Sequence, residues 1–149
     1  MDALIVGPKD GLADAVARGL RRSGMTVLRA IPADVADRER ASWLLDEAGR
    51  PALVIVFDAA PYAIAHALVA LTRAHVVLVA EQRAAAARPG ALHARALVPR
   101  DEPGLTVVRL GRAGRRWFAP GARRHEPMGP ERAAALVLRA CGAAAASFR

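Results

Sequence analysis

Ala52-Leu53-Val54-Ile55-Val56-Phe57 is an unbroken apolar run of strand-forming residues, closed by Asp58 and Pro61. A run this short and this continuous fits a strand covered on both faces, as in a parallel sheet, rather than the half-exposed strand of a hairpin. It belongs at the centre of such a sheet. Working outward, Ala3 to Val6 is a second short apolar run ending in Gly7, and Leu12, Val16 and Leu20 then recur at helical spacing up to Gly24. Met25 to Leu28 reads as another strand, and after a Pro-containing link Asp34 or Asp37 caps a helix through about Ala48, with Trp43 and Leu44 on its apolar side. Downstream, a helix around Tyr62 to Arg73 precedes the strand His75 to Ala80. An Ala-rich helix from about Ala91 to Val98 then precedes the strand Leu105 to Leu110. A Gly/Pro/Arg-rich loop over 111–130 leads to a last amphipathic helix, Glu131 to Cys141, and a tail over 143–149.

Five strands alternating with helices predict an α/β fold, a Rossmann-like doubly wound parallel sheet with helices on both faces and the strand order 3-2-1-4-5. The whole chain, 1–149, reads as one domain: its length suits one core and not two. The chain is 54% apolar but 4% aromatic and rich in Ala, which suggests thin, closely packed helices and argues against global disorder. A single cysteine, Cys141, forms no internal disulfide, and His66, His75, His93 and His125 have no ligand-like spacing, so no metal is expected. Nothing approaches the roughly 20 apolar residues of a membrane span, and the start lacks a basic leader, so the expectation is a soluble cytoplasmic protein.

Charge is uneven. Residues 1–82 carry 9 basic and 10 acidic side chains, whereas 83–149 carry 13 and 4. Every basic residue but Lys9 is Arg, which the GC-rich bias that also yields Ala would explain. The denser group Arg112, Arg115, Arg116, Arg123 and Arg124, interrupted by Trp117 and Phe118, reads as an anion or partner patch. Nucleic-acid binding there, with Trp117 as a stacking residue, is the weaker reading, since no nucleic-acid-binding motif accompanies it. The absence of an acidic cluster after the first strand and of a Lys at the end of the fifth argues against a receiver-like domain.

The segment Val6-Gly7-Pro8-Lys9-Asp10-Gly11-Leu12-Ala13 places small residues between the first strand and first helix. Backbone can there approach a phosphate at a helix N-terminus, with Lys9 adding charge and Asp10 opposing it. A tight strand-to-helix turn needs glycine for its own reasons as well.

Together with ADVADRERASWLLDEAGRPALVIVFDAAPY, GLTVVRLG at 104–111 and HEPMGPERAAALVLRA, this turn resembles the short-chain dehydrogenase/reductase superfamily. The likeness is to its extended or atypical members, nucleotide-sugar epimerases and dTDP-4-dehydrorhamnose reductase, whose second strand also runs almost directly into an acidic-valine segment. The resemblance implies that Gly7, Gly11 and Ala13 line a pyrophosphate, that Arg29 meets the adenosine ribose, and that Asp34 with Val35 borders the adenine. Arg29 favours NADP over NAD, because a guanidinium pairs with a 2′-phosphate.

The family's proton-transferring Tyr, its Lys and its Ser or Thr have no counterparts here. The relevant positions hold Ala80 or Glu81, Pro89 and His93; the family's Asn-Ala-Ala is Asp58-Ala59-Ala60; and the chain is shorter than typical members, leaving little for a substrate lobe. The expectation is therefore a truncated, catalytically degenerate relative that binds NADP or another nucleotide, or acts as a scaffold. It would assemble as a homodimer or with a partner through the Ala-rich segments 63–74 and 84–98. The competing reading is a non-redox tailoring enzyme using Asp58, Glu81 and His93 as acid/base groups at the strand tips, with Tyr62 at the rim.

Overall fold

The computed structural model describes residues 2–35, 37–58, 62–83, 103–119 and 127–146. The strands are β1 (Asp2–Val6), β2 (Thr26–Ala30), β3 (Leu53–Asp58), β4 (His75–Arg83), β5 (Leu105–Ala113) and β6 (Arg116–Phe118). The helices are α1 (Gly11–Arg22), α2 (Arg38–Glu47), α3 (Tyr62–Leu71) and α4 (Pro130–Ala146). They form one sheet in the order β2-β1-β3-β4-β5-β6, parallel except for the β5–β6 pair. The Rossmann-like α/β architecture is thus as expected.

The strand order is not 3-2-1-4-5. The run at 52–57 pairs directly with β1, Leu4 opposite Val54 and Val6 opposite Val56, and leaves β2 at the sheet's edge. Burial explains the choice. Leu53 to Phe57 are buried on both faces, so this strand gains most beside β1, whereas Thr26 and Leu28 of β2 are exposed and tolerate an edge. After β2 the chain makes a 3-10 turn at Pro32–Val35 instead of a further strand. Removing the outermost strand from the order 3-2-1-4-5-6 and renumbering yields the arrangement seen for the first five strands.

Alternate residues of each strand serve opposite faces. Ala3 and Ile5 join α1 and α4 in one core with Leu12, Val16 and Val137; Leu4 and Val6 join α2 and α3 in the other with Leu44 and Leu68. Close helix packing follows from small residues: a Cβ on Gly19 of α1 would lie 2.3 Å from Leu138 Cδ1 of α4. Of the two candidate caps for α2, Asp37 is the one used, accepting from the Arg40 amide at 2.8 Å. Trp43, expected on the apolar side of α2, is 64% exposed, while Leu44 and Leu45 take the buried positions.

The segment 111–130 is also more ordered than a loop. β5 continues through Ala113, turns at Gly114 with φ +58, and returns as β6, whose Trp117 bridges Met128 before α4 begins. Arg116 is exposed and Trp117 buried, a strand-like alternation hidden by the arginines around it. α4 runs to Ala146, past Cys141 and into the expected tail. The helix expected at 91–98 lies outside the described residues. Among the described residues no helix is long and apolar enough to cross a membrane.

Candidate functional site

In an open parallel sheet, ligands bind beyond the carboxyl ends of the strands, where the winding reverses. Here that point lies between β1 and β3, at the Gly7 turn. The turn is held shut by its own neighbours. A Cβ on Gly7 would come within 2.8 Å of Phe57 Cβ and 3.2 Å of the Phe57 carbonyl oxygen, so the glycine answers the close approach of β3. Gly11 is less constrained, its nearest neighbour being Pro130 Cβ at 3.6 Å. Ala13 is fully buried and contributes its amide, which donates to Asp10 Oδ1 at 2.9 Å. Asp10 is therefore the N-cap of α1: a carboxylate of the chain already takes one first-turn donor that a phosphate would use. Lys9 is exposed in the same turn.

Arg29, near the end of β2, reaches the glycine turn. Its guanidinium donates to the Asp14 carboxylate and, at 3.2 Å, to the Pro8 carbonyl. Asp14 was not anticipated, because nothing in the local sequence joins residues 15 apart on different elements. Val35 is buried against the α2/α3 face and Asp34 belongs to the 3-10 turn; nothing is described of the Asp34 side chain.

A second cluster joins residues that the sequence had assigned to separate roles. Glu81, past the buried Ala80 near the end of β4, accepts from Arg112 Nη1 at 2.9 Å through Oε2 and from Trp117 Nε1 at 3.2 Å through Oε1. Arg112 Nη1 is also 3.6 Å from Asp10 Oδ2, and its Nε donates to the Gly114 carbonyl at 3.1 Å. The guanidinium lies 5.3 Å from the centroid of the Trp117 ring. Arg112 thus pins the tips of β4 and β5 to the N-cap of α1.

Both Glu81 oxygens are engaged in holding the strand tips. Burial corrects one expectation. Trp117 is 3% exposed, so it is a core residue and not a stacking platform. Of the remaining patch, Arg115 and Arg116 are exposed, and Arg123 and Arg124 lie outside the described residues. Asp58 ends β3 opposite Ala80 and Tyr62 opens α3, with no description of either side chain; His93 lies outside the described residues. The acid/base trio is therefore not assembled by what is described. Among the described residues no group of three or more His, Cys, Asp or Glu gathers as a metal site.

No protein-family model matches the chain, and no curated protein matches it. Solved structures do. The crystal structure of the 3-alpha-hydroxysteroid dehydrogenase from Pseudomonas sp. B-0831 complexed with NADH matches 93% of this chain and 87% of that chain, with a TM-score of 0.60 and 18% identity. A putative short chain dehydrogenase/reductase family oxidoreductase from Aeromonas hydrophila subsp. hydrophila matches 93% of this chain and 90% of that chain, with a TM-score of 0.50 and 18% identity. At this identity the likeness is one of fold.

Proposed function

We propose that the chain is a short-chain dehydrogenase/reductase-like protein of the extended branch, which binds a nicotinamide nucleotide, NADP ahead of NAD, at the carboxyl end of its sheet. It carries out no hydride transfer by the tyrosine route. The observation that carries this reading is the strand–turn–helix unit from β1 to α1 with the Arg29 guanidinium beside it. The shared fold with an NADH-bound dehydrogenase supports it, and so does the 3-10 turn that follows β2 directly.

The residues present fit a phosphorylated ribose better than a pyrophosphate. Arg29 and Lys9 bring positive charge to the turn, and Arg29 exchanges Asp14 and the Pro8 carbonyl for a 2′-phosphate when the ligand arrives. Asp10 opposes a pyrophosphate at the first turn of α1, so binding is led by the adenosine end. Ala80 and Glu81 stand where the family has its hydroxyl, and the chain's one tyrosine and one lysine are Tyr62 and Lys9.

Titration with NADPH, followed by nicotinamide fluorescence, tests the reading, with NADH and ATP as comparisons. Saturable NADPH binding that Arg29→Ala weakens about tenfold is the expected result, equivalent to about 1.4 kcal/mol. Absence of saturable binding by any of the three overturns it. The same reading includes assembly as a homodimer or with a partner, using α3, where Ala67 and Ala70 present small exposed side chains, and the segment 84–98. Light scattering that finds a monomer throughout the micromolar range removes that part.

A further inference from the structure

The amino end of the sheet, opposite the glycine turn, is cut by a cleft of ≈ 1090 Å³. The C-terminal parts of α1 and α2, the segments entering β3 and β4, and the end of α4 line it. Its apolar walls are Leu20, Met25, Leu45, Leu53, Leu71 and Leu138. Three ionised side chains line it too. Arg50 and Asp46 are paired with each other, Nε to Oδ1 at 3.4 Å, and so are close to neutral together. Arg73, exposed at the junction of α3 and β4, has no acidic partner among the described residues and leaves the lining with one net positive charge.

From these we propose that the cleft is a second binding site, taking an amphipathic carboxylate of the fatty-acid class, its chain on the leucines and its carboxylate on Arg73. A large apolar cavity with few, placed polar groups is the general form of a small-molecule site, and this one lies above the usual volume of roughly 300–1,000 Å³, room enough for a long chain. The helix C-termini at this end carry partial negative charge, which by itself disfavours a carboxylate, so Arg73 decides the sign of the ligand. The wall is also open where α4 passes. A Cβ on Gly142 would meet nothing within 4 Å, in contrast to Gly19, whose side-chain space Leu138 fills. The inference is independent of nucleotide binding at the other end of the sheet.

The probe is cis-parinaric acid, a fluorescent polyene fatty acid, titrated into the full chain, with its methyl ester as the uncharged comparison. Saturable binding is expected, at least fivefold weaker for the ester and for Arg73→Ala. Gly142→Trp fills the open wall and is expected to weaken binding at least tenfold; removing a helical glycine also guards this variant against unfolding. NADPH titrations run in parallel read the other site separately and are expected to be unchanged by both substitutions. No saturable binding of the acid overturns the site. Binding indifferent to Gly142→Trp overturns the cleft as its location, and equal binding of acid, ester and Arg73→Ala overturns the carboxylate.

Discussion

The two ends of this sheet are built from opposite materials. At the carboxyl end, charges are numerous and answered from within: Arg29 by Asp14, and Arg112 by Glu81 and Asp10. At the amino end five leucines share the walls with Ser23, Ser42, Thr72 and His75, the space is wide, and Arg73 stands without an acidic partner among the described residues. The reversal of winding between β1 and β3 therefore points to one end as a ligand site while open volume points to the other. The difference teaches that a glycine turn in the right place does not guarantee an available anion site, because the same backbone donors also serve the chain's own carboxylates.

If the carboxyl end is a structural clamp, its buried aromatic is expected to matter most. Trp117→Ala removes a core side chain and a donor to Glu81, with an expected loss of about 3–5 kcal/mol in urea unfolding. A loss below about 1 kcal/mol would break the picture of a clamp. Gly7→Ala forces a methyl against Phe57 and is expected to cost about 1–3 kcal/mol, read the same way.

The next effect belongs to the amino end. Burial pushes the Cys141 thiol from 9.0 up to about 12, against a smaller opposing pull from a backbone hydrogen bond. The folded state thus keeps its proton as pH rises past 9, and alkylation of the native chain at pH 9 is expected to be at least tenfold slower than in denaturant. The stability linked to this group is full below pH 9 and is lost as pH climbs towards 12. Asp10→Ser keeps a cap on α1 but removes the competing carboxylate, so NADPH is expected to bind about fivefold tighter, about 1 kcal/mol, while losing the Arg112 ion pair lowers stability by up to about 1 kcal/mol. Unchanged affinity would show that Asp10 does not limit the site. Smallest of all, Trp43→Ser is expected to shift stability by under about 0.5 kcal/mol, since the ring lies in solvent.

Sequence periodicity located β1, β3 and α1 well, because each is a local pattern: an apolar run, or apolar positions at helical spacing. It failed where a strand's identity rests on what lies across the sheet. The stretch 111–118 reads as polar loop until Trp117 is seen packed with Met128 and bonded to Glu81. Arg29 was singled out for an adenosine ribose, and its pairing with Asp14 left no local mark. Glu81 and Arg112 were both picked out, for separate reasons, and their pairing came from the β4–β5 register, Gln82 opposite Gly111 and Arg83 opposite Arg112.

By itself the sequence determined the alternation of strand and helix and the glycine turn, since these depend on residues within a turn or two of one another. Tertiary structure alone decided that β3 lies beside β1, that Arg29 and Arg112 at the glycine turn and strand tips pair with Asp14, Asp10 and Glu81, and that a cleft opens at the far end. Each of those outcomes depends on which surfaces meet across the sheet, and burial, not sequence proximity, selects the neighbours.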